Sequence, residues 1–343
     1  MAFRKPIDNR PLIDDVTPAA AIPGGEFRVR GKNFMRSGRP VARFGDTSAL
    51  VVSGSDSLVI VRVPDSMTDN ELIVGQNGSV SAPHACAVGV QLADGIHAVA
   101  NPAVDDLGSV YTTLSGTRGQ KTPVSVYRTD LRAGPLSPLV SDIMNPTGLA
   151  LDREGIVYVS SRHEGNVYRV EPNGTMSIYV EGMGTATGIA FDANENLYVG
   201  DRSGTVFKVS RERQIYVFAT LESSISAYHL AMGPDGCLYV SGPTTSSFDA
   251  VHRINPAGEV DVFFRGLGRP QGLTFDNAGN LYVAASYAGE RGIVRITPRA
   301  EAELFLSGPS IVGLALAPNG EMVVSTNHAL FRVSTGTERR AFP

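Results

Sequence analysis

The residues that could do chemistry in this chain stand in a repeated frame. Six positions each precede the core of a small, apolar, strand-like run: Ala100, Thr147, Thr187, Tyr228, Gln271 and Val312. Equivalent positions of repeats converge when the repeats surround an axis. None of the six is Asp, Glu or Asn, and Thr147 and Gln271 offer only neutral oxygens. His229 stands beside the fourth position, and His163 and His328 follow the second strands of their own repeats. These three imidazoles share one expected face and are the candidates for zinc, although residues on different repeats carry no readable zinc spacing. His84, His97 and His252 fall in no ligand pattern. The chain has no Gly-x-Ser-x-Gly elbow, no phosphate loop and no His-Glu-x-x-His pair. No catalytic residue, metal ligand or cofactor is expected.

What varies between repeats is the loops on that same face. They are 116–121 (GTRGQK), 162–164 (RHE), 201–203 (DRS), 243–249 (PTTSSFD), 287–291 (YAGER) and 327–328 (NH). Variable loops on a rigid scaffold carry function. The candidate ligand-binding residues are therefore Thr147, His163, Thr187, Arg202, Tyr228, His229, Arg269, Gln271, Tyr287 and Arg291. Such a polar, aromatic-bearing mouth suits a small polar ligand, a peptide or a protein. A second recurring feature is a cation in every third strand: Arg128, Arg169, Lys208, Arg253, Arg295 and Arg332. Recurrence in all copies is what duplication predicts, so these belong to the repeat, with the aliphatic stem packed and the charge outward.

The frame itself is read from five clear copies, at 147–161, 187–201, 228–242, 271–285 and 312–326, and a degenerate one at 100–114. The turn before each second strand falls at Gly108, Gly155, Glu195, Gly236, Gly279 and Gly320, at spacings of 47, 40, 41, 43 and 41. A period of this length with several short strands predicts a six-bladed β-propeller over 93–343. Residues 337–343 could form a last fourth strand, or the segment 85–92 could complete the last blade. Residues 1–92 contain no repeat. Their short strand-like runs, separated by turns such as Gly24-Gly25 and Asn77-Gly78, predict a small Ig-like β-sandwich. The chain is thus expected to be all-β in two domains, 1–92 and 93–343.

Composition removes other classes. Of 343 residues, 42% are hydrophobic, too many for disorder, and no apolar stretch reaches the length of a membrane span. Two cysteines exclude a disulfide scaffold, and the neighbours of Cys86 and Cys237 make both read as core thiols. The net charge is −4. Residues 1–92 hold ten basic and nine acidic groups, so the repeat region carries −5, which argues against nucleic acid as a partner. No apolar run follows the two basic residues at the N-terminus. The expectation is a cytoplasmic protein, or a periplasmic or secreted one if that terminus is trimmed.

Two family resemblances follow. Residues 13–18 (IDDVTP), Gly24-Gly25, 29–34 (VRGKNF), Phe44-Gly45 and 59–64 (VIVRVP) resemble the IPT/TIG family, whose Ig-like domains are mostly spacer or interaction modules. The pattern Pro-x-Gly-Leu-Ala-x-Asp-x-x-Gly-x-Val-Tyr-Val at 146–159 resembles NHL-repeat propellers and the gluconolactonase and regucalcin-like (SMP-30) enzymes. The enzymes of that resemblance hold a divalent metal on Glu, Asn and Asp at the six frame positions, where this chain has none. The peptide-amidating lyases, another six-bladed relative, hold zinc on several His. The expected function is a non-catalytic binding or scaffold protein, engaging its ligand at the mouth. The alternative is a gluconolactonase-like hydrolase with an altered or lost metal site, and only that alternative calls for a divalent cation.

Overall fold

The computed structural model describes residues 9–67, 69–117, 119–132, 134–245 and 249–340. The described residues are strands, turns and loops, and no helix is long and apolar enough to cross a membrane. Contacts divide the chain into two units. One holds residues 1–89 with Phe305–Pro309, and the other holds Val90–Leu304 with Ser310–Pro343.

In the first unit, alternation builds the sheet. Phe27 and Val29 are buried while Arg28 and Arg30 face outward, and Val59 and Val61 repeat the pattern in the neighbouring strand. The hydrogen-bonded path runs through Leu12–Thr17, Glu26–Lys32, Leu58–Arg62, Thr47–Gly54, Val41–Phe44, Glu71–Gln76 and Ser79–Val80, with His84–Ala85 also on Glu71–Gln76. One core takes side chains from strands along the whole path, including Phe27, Phe44, Val61 and Val74, with Phe34 and Cys86. Burial raises the Cys86 thiol to about 12, as befits an inert core group. Ala20–Ala21 pairs in parallel with Ala87–Val88 and with Leu306–Ser307 of the same unit.

The second unit is an all-β propeller arrangement. Its second repeat shows the plan: Pro146–Leu151, Val157–Ser161, Asn166–Val170 and Met176–Val180 form one antiparallel four-stranded sheet in chain order. Five separate four-stranded sheets occur, where the repeat predicts six. The fifth repeat departs because its outermost strand, Ala302–Ser307, ends in Leu306 and Ser307, whose free edge Ala20 and Ala21 take. Its strands are therefore not among those five sheets. The last blade is completed by Val90–Ala93, antiparallel to residues 330–332, so a segment overlapping 85–92 takes its outer edge. A boundary at 92/93 would cut that strand.

Each hairpin explains its own motif. Asp105 Oδ1 accepts the Leu107 and Ser109 amides, and its Oδ2 accepts the Tyr111 hydroxyl at 3.1 Å. Asp192 with Tyr198, Asp235 with Tyr239 and Asp276 with Tyr282 repeat the hydroxyl contact. Five of the six third-strand cations are engaged nearby. Arg169 pairs with Glu171, Arg253 with Asp235, Arg295 with Glu303 and Arg332 with Glu321, while Lys208 lies over the Tyr198 ring.

The innermost strands approach to backbone contact. A Cβ on Gly148 would lie 2.4 Å from the Thr187 carbonyl oxygen, and one on Gly188 2.5 Å from that of Tyr228. At Gly313 it would meet the Ala100 carbonyl oxygen at 2.5 Å. Backbone cannot retreat as a flexible side chain can, so Gly313→Ala is expected to cost about 3 kcal/mol in chemical unfolding of the full chain. Gly155→Ala is the control for a glycine whose Cβ meets nothing within 4 Å. Its positive φ of 80° still carries a smaller backbone penalty.

Candidate functional site

The candidate residues fall into two groups. Thr147, Thr187, Tyr228 and His229 are buried, each with 3% or less of its surface exposed. The Thr147 hydroxyl donates to the Asn145 carbonyl at 3.2 Å. The Thr187 hydroxyl donates to the Gly200 carbonyl at 2.9 Å and accepts the Tyr228 amide at 3.1 Å. The Tyr228 hydroxyl donates to the Glu222 carbonyl, and burial with the nearby Glu222 charge raises the phenol to about 12. Gln271 is half-buried, and its carbonyl accepts the Ser241 hydroxyl. Of these bonds, Tyr228 to Thr187 and Ser241 to Gln271 join neighbouring repeats.

The second group is more accessible. His163, Arg202, Arg269 and Arg291 are exposed, and Tyr287 is half-buried with its ring centroid 6.2 Å from that of Phe264. Arg202 Nε donates to the Ser224 carbonyl and its terminal nitrogen to the Ile225 carbonyl, both at 3.2 Å. Asn145, with φ of 49°, holds the 116–120 loop by donating to the Gly116 and Thr117 carbonyls and accepting the Gly119 amide. Arg118 of that loop, and residues 246–248 of the 243–249 loop, lie outside the described residues.

A set of serines that the sequence reading passed over completes the seams. Ser160 accepts the Gly148 amide at 2.8 Å and donates to the Thr187 carbonyl. Ser325 donates to the Ala100 carbonyl at 3.1 Å, and Ser241 serves Gln271 in the same way. All three follow the Val of a second strand, so their recurrence was a usable signal.

This donor set does not suit a divalent cation. The six frame positions carry no carboxylate, and the hydroxyls of Thr147, Thr187 and Tyr228 already bond backbone carbonyls. Among the described residues no group of three or more His, Cys, Asp or Glu is placed to hold a metal. His163, His229 and His328 thus do not form a zinc cluster. His229 is fully enclosed, and desolvation lowers its imidazole from 6.5 to about 4.

No family model matches the chain, and no curated protein matches it. Its fold is shared with solved structures. A candidate gluconolactonase aligns with a TM-score of 0.61 at 18% identity, over 74% of this chain and 94% of its own. A protein of unknown function from Bacteroides thetaiotaomicron aligns with a TM-score of 0.59 at 14% identity, over 97% and 99%. An auxiliary nutrient binding protein from the same organism aligns with a TM-score of 0.56 at 12% identity, again over 97% and 99%. Structural neighbours are therefore propeller proteins of the NHL and gluconolactonase-like kind, among them both enzyme-named and binding-named members. At these identities the likeness is one of fold.

The enclosed imidazole sets a pH dependence. The unfolded chain takes up the His229 proton near 6.5 and the folded chain only near 4, so stability falls as pH drops through that window. Between pH 7 and pH 5 this contribution amounts to about 2 kcal/mol. Urea unfolding of the native chain and of His229→Leu at both pH values should show the variant lacking that share of the loss.

Proposed function

We propose that this chain is a non-catalytic binding or scaffold protein. It presents a six-bladed propeller whose rim, around His163, Arg202, Arg269, Gln271, Tyr287 and Arg291, engages a small polar ligand, a peptide or a protein. The observation that carries the reading is the state of the six frame positions. The side-chain hydroxyls of Thr147, Thr187 and Tyr228 are spent on backbone carbonyls, while His163, Arg202, Arg269 and Arg291 are exposed. A hydrolase that held a divalent metal at those positions would need their oxygens free. The end-to-end likeness to an auxiliary nutrient binding protein supports a binding role. We take the fifth repeat as the sixth blade, its outer edge extended by added strands. We take the first unit as an IPT/TIG-type Ig-like module. That assignment is supported by its landmarks and by a core drawn from strands at both ends of one path.

The test joins chemistry to binding. Purified full-length chain is assayed for calcium and zinc content and for hydrolysis of gluconolactone. A peptide and metabolite library is screened in parallel by calorimetry. The expected result is no turnover, and a ligand whose affinity drops about tenfold when Arg269 and Arg291 are both replaced by Ala. Stoichiometric metal with turnover lost on chelation would establish the hydrolase instead. A ligand that ignores both arginines would remove the rim as its site.

A further inference from the structure

The inner strands run from the sealed frame positions to their hairpin turns, and at that opposite end the structure holds a cavity of about 260 Å³. Its wall combines apolar side chains, including Ile189, Phe191, Leu230 and Met232, with the charged groups of Asp105, Asp106 and Asp152. The C-terminal segment crosses this end of the ring. The Asn277 amide donates to the Glu338 carbonyl at 3.0 Å. Arg339 forms a bridge with Asp276, donates to the Val104 carbonyl at 2.9 Å and pairs with Asp106. Arg340 donates to the Met232 carbonyl at 3.0 Å. Both guanidiniums line the cavity.

The acids at the same end are already used. Asp105 spends both oxygens on its turn and on Tyr111. Asp152 Oδ1 accepts the Glu154 and Ile156 amides, and Asp106 pairs with Arg339. Arg340 donates to one neutral carbonyl and has no carboxylate within ion-pair distance among the described residues. Desolvation lowers its pKa against the opposing charge of Asp235, a carboxylate already paired with Arg253. A half-buried cation with donors to spare, whose near acid is held by another cation, can take a further counter-charge.

We propose that this cavity binds a small organic carboxylate, with the carboxylate on the Arg340 guanidinium and a short hydrocarbon body against Leu230 and Met232. Arg presents two parallel N–H donors that match a carboxylate, and the wall rewards an apolar tail. The volume lies at the small end for ligand pockets, which limits the body to a few carbons. The site is separate from the rim at the other end of the inner strands, so either can fail alone.

The test uses full-length chain labelled at its methionine methyls, with the Met232 resonance assigned through Met232→Leu. Hexanoate, hexanamide and inorganic phosphate are titrated in turn. Hexanoate is expected to move the Met232 resonance saturably, with hexanamide and phosphate each at least about tenfold weaker. Arg340→Gln should weaken hexanoate by about the same factor while its unfolding midpoint stays unchanged. Equal binding of hexanoate and hexanamide would overturn the proposal, because the cavity would then select only apolar surface. Equal binding of hexanoate to the native chain and Arg340→Gln would overturn it too, as would no movement with hexanoate. The comparison of hexanoate with hexanamide on the native chain needs no variant, so it stands even if Arg340→Gln does not fold.

Discussion

Backbone contact between the inner strands governs the propeller unit. Gly148, Gly188 and Gly313 leave no room for a Cβ because a neighbouring strand's backbone occupies that place. Once strands approach so closely, every carbonyl at the contact must find a donor inside the protein. Ser160, Ser241 and Ser325 supply such donors, while the Thr187 hydroxyl donates to the Gly200 carbonyl and accepts the Tyr228 amide. The end of the ring where a ligand was most expected is in this way made of seam.

The same accounting explains the charged repeats. A carboxylate that begins a hairpin is held by its own turn amides and by a tyrosine hydroxyl. A cation that follows it is held by a neighbouring acid or ring. Such groups recur because each blade must build the same hairpin. Function has to be sought where the pattern breaks, at groups the repeat does not neutralise. Those are the exposed guanidiniums of the rim and, at the hairpin end, Arg340.

The fold likeness sits comfortably with this division. Propellers close a ring with backbone and small residues, and leave chemistry to loops and ends. Neighbours with enzyme names and with binding names can therefore share one scaffold.

Much was legible in the residues alone. The all-β class, the repeat period, the hairpin aspartates, the buried thiols and the absence of carboxylates at the frame positions are local or periodic features. Pattern and turn chemistry express these directly. Tertiary structure decided what depends on distance between remote segments. Val90–Ala93 closes the last blade, and Ala20 and Ala21 take the edge beside Leu306 and Ser307. Thr147, Thr187, Tyr228 and His229 turned out to be packed between blades instead of facing solvent. The C-terminal arginines reach the hairpin end of the ring, far from the last blade's own turn in sequence. A repeat specifies the hairpin it encodes, but which atoms are left unpaired is known only after every neighbour has taken its share.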